Sequence, residues 1–304
     1  MDSGITIHNL TVVIPTFNRL DMLKRILDTI PRSIRVIVSD NGSSVPAVFE
    51  QEYPEFTFFK TPKVLEALEN WNNCIDLVET EWFTIPSDDD LYYSDSFDLI
   101  AMYLKKFRDN DVLVFGHNEI DANDQITSVW KPAEEINVSP PYAYLKFKYG
   151  VEARFPGLFF KKAIVIKHKC FDTSFKITAG DSKLIQQCML TGTVSFIPEI
   201  VAAYRVWPNN STTLTLGTAA WLLEIDRWQN DLLSEAEILY KAQHIPLNVK
   251  NIKDEVYARN LIGGVLNIKK RKGRLGGLKF AMENRFPRNA NVKTLLSLVK
   301  GILT

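Results

Sequence analysis

Between Leu10 and Asp90 the chain alternates apolar stretches of strand length with segments of helical spacing. Each stretch ends on polar or acidic residues. Residues 10–15 read as a buried strand, and a helix follows from about Arg19, with Leu20, Leu23, Leu27 and Ile30 on one face. Residues 34–39 form a second strand that runs into Asp40-Asn41-Gly42-Ser43-Ser44, a strong turn signal. The spacing of Val64, Leu68, Trp71, Ile75 and Val78 predicts a helix over about 63–79, and residues 82–86 give a third strand. Such alternation implies a parallel sheet with right-handed crossovers. Ligands of such sheets bind outside the carboxyl ends of the strands. Asp40, Asp88, Asp89 and Asp90 all stand at such ends, so one pattern brings four carboxylates to one rim.

Three adjacent aspartates repel, and a fold keeps them only if something offsets the charge. Water does so in a solvated turn, and a divalent cation does so in a site. Oxygen ligands suit Mg²⁺ or Mn²⁺, and Mg²⁺ is typically held by one or two carboxylates together with substrate phosphates. The first strand–helix turn, Pro15-Thr16-Phe17-Asn18-Arg19, contains no glycine. It therefore lacks the glycine-rich cradle on which a dinucleotide fold holds pyrophosphate. Asp40 before Asn-Gly is also a good turn residue, because Asx side chains bond their own backbone. Cys74, Cys170 and Cys188 make no metal or redox spacing, and the four histidines share none either.

After Asn110 the pattern changes. Residues 112–115 read as a strand, 121–124 as a turn, Pro140-Pro141 as a boundary, and 155–160 as a turn into a strand. A helix starts near Asp181, which is a good N-cap, with Leu184, Ile185, Cys188 and Met189 inward. It stops before Gly192, and a short strand covers 194–197. Beyond Thr215 the chain is mostly helical, with Gly263-Gly264 read as an interruption and 273–277 as a loop. This divides the chain into 1–214, with a nucleotide-binding half (1–115) and an acceptor half (116–214), and a helical extension (215–304).

Together these segments resemble family 2 glycosyltransferases of the GT-A fold. Residues 12–19 (Val-Val-Ile-Pro-Thr-Phe-Asn-Arg) are similar to that family's opening strand and turn. Residues 38–44 are similar to its second-strand aspartate, Asn70-Trp71-Asn72 to its asparagine-containing helix, and 87–91 to its DxD region. The resemblance covers about 10–212. It implies an α/β fold, a Rossmann-like, mostly parallel sheet flanked by helices. It also implies that Asp40 contacts the base or ribose of a nucleotide sugar. Pro15, Thr16, Arg19, Asn70 and Asp89 would frame the nucleotide pocket, Asp88 would lie near the ribose and sugar, and Asp88 and Asp90 would ligate the metal. Asp181 would be the catalytic base. Two positions depart from the family pattern. Gly180 stands where a supporting acid is usual, and Trp207 stands where Tyr-Arg-x-His is usual, in a segment running to Asn210. An indole cannot ligate Mg²⁺, so Arg205 is expected to take part of the diphosphate charge.

The resemblance thus implies an inverting hexosyltransferase moving sugar from a nucleotide-sugar donor, a UDP-sugar, to a saccharide hydroxyl. The acceptor class it implies is a surface polysaccharide such as O-antigen or capsule, carried on a lipid. A nucleotidyltransferase making sugar nucleotides shares the layout, but it would carry a glycine-rich N-terminal loop. A non-catalytic nucleotide- or glycan-binding protein would tolerate Gly180 and Trp207. Charge adds a further expectation. Net charge is zero, yet residues 269–300 hold ten Lys/Arg against the single acid Glu283. Interleaved with Leu275, Leu278, Phe280, Leu295, Leu298 and Val299, they read either as a solvated helical face or as a segment lying on an anionic membrane. No membrane span or signal core is read, and nucleic acid is not an expected partner. The expected place is the cytoplasm, peripheral to the inner face of the plasma membrane.

Overall fold

The structure, a computed structural model, describes residues 7–207 and 215–303. The chain forms two compact units, one of 7–143, 152–173 and 191–207, the other of 144–151, 174–190 and the described residues beyond 214. The first unit carries all ten strands of one sheet. They are β1 Leu10–Thr16, β2 Arg35–Asp40, β3 Thr57–Lys60, β4 Trp82–Thr84, β5 Leu91–Tyr92, β6 Val112–Ile120, β7 Ile126–Trp130, β8 Ile136–Val138, β9 Leu158–Lys161 and β10 Val194–Arg205. The order along the sheet is β3-β2-β1-β4-β9-β6-β10-β5, with β7 on β6 and β8 on β10. Strands β1 to β4 pair in parallel, as the alternation requires, and β9 runs antiparallel between β4 and β6.

β1 is apolar on both faces, since Leu10, Val12, Val13 and Ile14 are all fully buried between layers of helices. Helix Leu20–Thr29 covers one face through Leu23, Ile26 and Leu27. Helix Ala67–Leu77 follows the predicted periodicity, but it begins four residues later than expected. Glu66 and Glu69 form a reciprocal capping box that fixes the first turn there. The register places Thr16 beside Asp40 and Asp40 beside Lys60, so the ends of β1, β2 and β3 are level.

Several expectations are corrected here. β6 runs on to Ile120, because Gly116, His117 and Asn118 stay buried where β7 and β10 pair with it on either side. β10 does not stop at Ile197. It absorbs Pro198 at a register shift and continues to Arg205. β3 and β5 carried no recognisable strand pattern, being four and two residues long.

The second unit is helical: Tyr144–Phe147, most of Gly180–Thr191, Ala219–Ala242, Val249–Met282 and Val292–Leu303. The helix bearing Asp181 therefore belongs with the C-terminal helices, and the chain does not divide at 214. Gly263-Gly264 does not interrupt the long helix. A Cβ on Gly264 would meet the Phe280 ring at 2.7 Å and the Gly217 Cα at 2.9 Å, so the glycine permits close packing. The break falls at Gly273, where φ is +75°. Among the described residues no helix is long and apolar enough to cross a membrane.

Candidate functional site

The carboxyl ends of β1, β2 and β4 gather the expected rim in the first unit. Asp88, Asp89 and Asp90 are all buried, at 0%, 7% and 1% exposure, so the triplet is not a solvated turn. Water does not balance its charge; side chains from two directions do. From the β1 turn, Thr16 Oγ1 donates to Asp88 Oδ2 at 2.8 Å. Arg19 stands 2.7 Å from both Asp88 Oδ1 and Asp89 Oδ2, with its side chain still 46% exposed. From the end of β10, the Trp207 indole N–H donates to Asp89 Oδ2 at 2.6 Å. Arg205 Nε donates to the Asp89 carbonyl at 3.0 Å.

Burial raises the Asp88 and Asp90 carboxyls. The Asp88 pKa is pushed up to about 6 by desolvation, against the pull of Arg19 and the Thr16 hydrogen bond. Asp90 is raised well above the ordinary carboxyl value, by desolvation first and by the Asp89 charge second. Its two oxygens accept from the Ser87 amide at 2.8 Å and the Arg205 amide at 3.3 Å.

Asp88 and Asp90 are the residues that would hold the Mg²⁺ or Mn²⁺ expected here. Asp88 gives one oxygen to Thr16 and faces Arg19 with the other, while each oxygen of Asp90 accepts from one backbone amide. A carboxylate oxygen has two lone pairs, and metal-ligating carboxylates are themselves hydrogen-bonded, so these contacts leave ligating capacity at both residues. Arg19 supplies part of the counter-charge. Among the described residues no group of three or more His, Cys, Asp or Glu forms a metal-holding cluster.

Other expected residues fall into place unevenly. Asp40 is fully buried and caps its own turn. Oδ1 accepts from the Ser44 amide and hydroxyl, both at 2.8 Å, and Oδ2 accepts from the Val45 amide at 2.8 Å. Asn70 is also buried and accepts from Ser39 Oγ at 2.9 Å, tying the Ala67–Leu77 helix to β2. Pro15 is half-buried inside β1. Arg205 was expected to meet the diphosphate, and its placement corrects that. Its side chain is wholly buried, and its guanidinium is used on the Asp89 carbonyl, the Asp121 carbonyl (2.7 Å) and the Asp124 carboxylate (2.6 Å). The last residues of its sequence segment, Pro208 to Asn210, lie outside the described residues.

Sequence reasoning missed Phe17 and Val64. Both are exposed, at 47% and 59%, beside Gly42 in the β2 turn. A Cβ on Gly42 would lie 2.8 Å from Val64 Cγ2 and 3.6 Å from the Phe17 ring, and its φ of +95° suits glycine. An exposed aromatic directly after a buried strand was the available signal. Trp71 packs edge-on against Phe155 and Phe171, so it is a packing residue, as its helical position suggested.

In the second unit Asp181 is exposed in the first turn of Gly180–Thr191 and accepts from the Ser182 amide at 2.6 Å. It sits inside the helix as its second residue, two positions past the cap residue Ala179, rather than at the cap as expected. Glu224, which sequence reasoning missed, anchors the preceding loop by accepting from the amides of Lys176, Ile177 and Thr178 at 2.8 to 2.9 Å. The same helix is held further along by Trp228, whose indole donates to Gln186 at 3.0 Å. An acidic side chain on a braced helix start is thus available for proton transfer.

Residues 11–186 match the family model described as Glycosyl transferase family 2. Solved structures of S. aureus TarS share the fold. TarS 1–349 is 14% identical with a TM-score of 0.59, covering 97% of this chain and 81% of that one. Its complex with UDP-GlcNAc gives 12% identity and a TM-score of 0.62, covering 96% and 79%. Its complex with UDP gives 13% and 0.56, covering 96% and 92%. No curated protein matches the sequence significantly.

Proposed function

Because this chain belongs to glycosyl transferase family 2 and is a glycosyltransferase of GT-A fold, we propose that it transfers a hexose from a UDP-sugar with inversion. The acceptor is a saccharide hydroxyl of a surface polysaccharide such as O-antigen or capsule, carried on a lipid. Inversion is a single in-line displacement, so it needs a base on the acceptor and positive charge at the departing diphosphate. Asp181 is assigned the first role, on the family pattern and its exposed carboxylate. Arg19 is assigned the second, as the half-exposed cation of the aspartate rim. Phe17 and Val64 are assigned the uracil face, and Asp88 and Asp89 hold Arg19 in place. The UDP class follows the ligands named for the S. aureus TarS structures. A divalent metal, as the family resemblance implies, would be held by Asp88 and Asp90 and would add positive charge at the diphosphate beside Arg19.

The observation that carries this reading is the pair of 2.7 Å contacts that hold a half-exposed arginine over two buried carboxylates at the strand ends. The test is a thermal-shift and hydrolysis panel of UDP-, GDP-, dTDP- and CMP-sugars, run with wild type and Asp181→Asn. A UDP-sugar should stabilise both proteins equally and be turned over by wild type. Transfer by Asp181→Asn should drop by about 10²-fold or more, the scale of general base catalysis. Full transfer by Asp181→Asn, or binding of no nucleotide sugar, would overturn the proposal.

A further inference from the structure

Twenty-one large apolar side chains stand exposed among the described residues, and eight of them lie between Leu275 and Leu303. They are not scattered. Val292 (73% exposed), Leu296 (66%), Val299 (43%) and Leu303 (72%) recur at intervals of four, three and four along helix Val292–Leu303. At about 100° per residue they fall within roughly 60° of one another, one continuous stripe. Leu298, on another side of the helix, is 1% exposed, so the helix already has a packed face. The outward stripe is additional to it. Leu275 (82%), Leu278 (38%) and Met282 (77%) form a second such stripe after the break at Gly273.

Both stripes lie in the most basic part of the chain. Residues 269–300 hold ten Lys/Arg and one acid. Arg285 is engaged with Asp226 and Asp254, Lys279 stands 3.7 Å from Glu283, and Lys269 donates to the Gly301 carbonyl. Lys270, Lys272, Arg274, Arg288 and Lys293 are exposed. Lys293 and Lys300 flank the Val292–Leu303 stripe along one edge, at roughly 80–100° from its first residue.

We propose that this face of the C-terminal helices lies on an anionic lipid bilayer, with the stripes seated at the boundary between headgroups and acyl chains. An apolar stripe bordered by lysines is the pattern of a helix lying in the membrane plane, seated ~5–10 Å deep. Each lysine keeps its ammonium among lipid phosphates while its stem covers apolar surface. The charge decides among occupants. A second copy pairing through the same patch would bring two sets of exposed cations together, with Lys270, Lys272, Arg274, Arg288 and Lys293 on each side. A nucleic acid would satisfy the cations and leave the seven apolar side chains of the two stripes without a partner. Only a surface both anionic and apolar matches the whole face. This inference goes beyond the sugar-transfer reading and does not rest on it.

Intact protein is sedimented with vesicles of phosphatidylcholine alone and with vesicles containing about one-third phosphatidylglycerol. Binding to the anionic vesicles should be at least about 10-fold stronger, and it should weaken at high salt as the Debye length shrinks from about 8 Å. Leu296→Glu with Val299→Glu, and separately Lys270→Glu with Lys272→Glu and Arg274→Glu, should each reduce it about 10-fold or more, because both components are needed. These positions are exposed, so the melting temperature and donor hydrolysis should stay at wild-type values. Absence of binding to anionic vesicles at low salt overturns the proposal. So does equal binding to neutral vesicles, or a concentration-dependent dimer that Leu296→Glu dissolves while vesicles are ignored.

Discussion

The aspartate triplet is held from two sides, and the two sides do opposite things with an arginine. On the β1 side Arg19 keeps nearly half of its side chain in solvent while contacting Asp88 and Asp89. On the β10 side Arg205 has none of its side chain in solvent and spends its guanidinium on two carbonyls and Asp124. The residue type is the same, and so is the distance scale. Exposure separates them. A wholly buried guanidinium anchored through all three of its nitrogens fixes the backbone at Asp89 and Asp121, joining the β4 end to the β6–β7 turn. One with a free flank can turn toward an incoming anion without first breaking the fold. Charge near a site thus says little until its remaining hydrogen-bond capacity is counted.

The sharpest way to break this comparison is to remove the buried member. Arg205→Met keeps length and apolar stem but abandons two carbonyls and a carboxylate. Hydrogen bonds from a charged donor contribute about 1.5–3 kcal/mol each, and part of that loss is recovered because Asp124 can be hydrated. A net loss of roughly 3 kcal/mol is expected, lowering the melting temperature by about 6–12 °C. Arg205→Lys should rescue little, since one ammonium cannot reach three acceptors lying in different directions. Thermal denaturation of the two variants decides it. Wild-type melting in Arg205→Met would mean that the clamp is idle and that the two arginines are not different in kind.

Arg19→Gln probes the other side. At pH 6 its melting temperature should remain near wild type. Transfer should fall by about 10²-fold, the usual cost of removing a preorganised donor from a developing charge. Donor affinity should change far less than turnover, because the charge on the diphosphate grows toward the transition state. Steady-state kinetics with separate kcat and KM would show this split. A loss confined to KM would make Arg19 a uniform binder and place the charge stabilisation elsewhere.

What the sequence made legible, and what it hid, follows the same line. β1, β2 and the Gly180–Thr191 helix were readable because their apolar periodicity is local and their ends carry turn or glycine signals. The rim followed from topology alone, as strands running in parallel put their carboxyl ends together. The role of Arg205 was not readable. Its partners Asp121 and Asp124 lie more than eighty positions away, and only the extension of β6 and β10 past their expected ends brings them close. β10 was cut short because Pro198 is ordinarily a strand terminator, and only the partner strand reveals the register shift that accommodates it. Asp40 shows the converse. Its turn chemistry was written in Asp-Asn-Gly, and the carboxylate does what that local signal says.

The finest distinction between the two sides is electrostatic and should appear in the pH dependence of stability. Asp88 has its pKa raised to about 6, chiefly by burial, with Arg19 opposing the rise. A carboxyl whose native pKa exceeds its unfolded value of about 4 holds its proton more tightly when folded. Its favourable contribution is complete below about pH 4 and is lost as the pH climbs through about 6. Arg19→Gln removes the opposing cation, so ionised Asp88 should become costlier and its pKa should move further up. The Arg19 contact to Asp89 is lost at every pH, so wild type and variant should lie closest near pH 5, where Asp88 is largely protonated and its own ion pair contributes little. They should separate by a few degrees by about pH 8, with the variant lower. Asp90 is raised by burial and by Asp89, with Arg19 not among its causes, so its effect is common to both proteins and cancels in the difference. Parallel melting curves from pH 5 to pH 8 would show that Arg19 does not balance Asp88 in solution, and its contact in the fold would then carry no charge-balancing role.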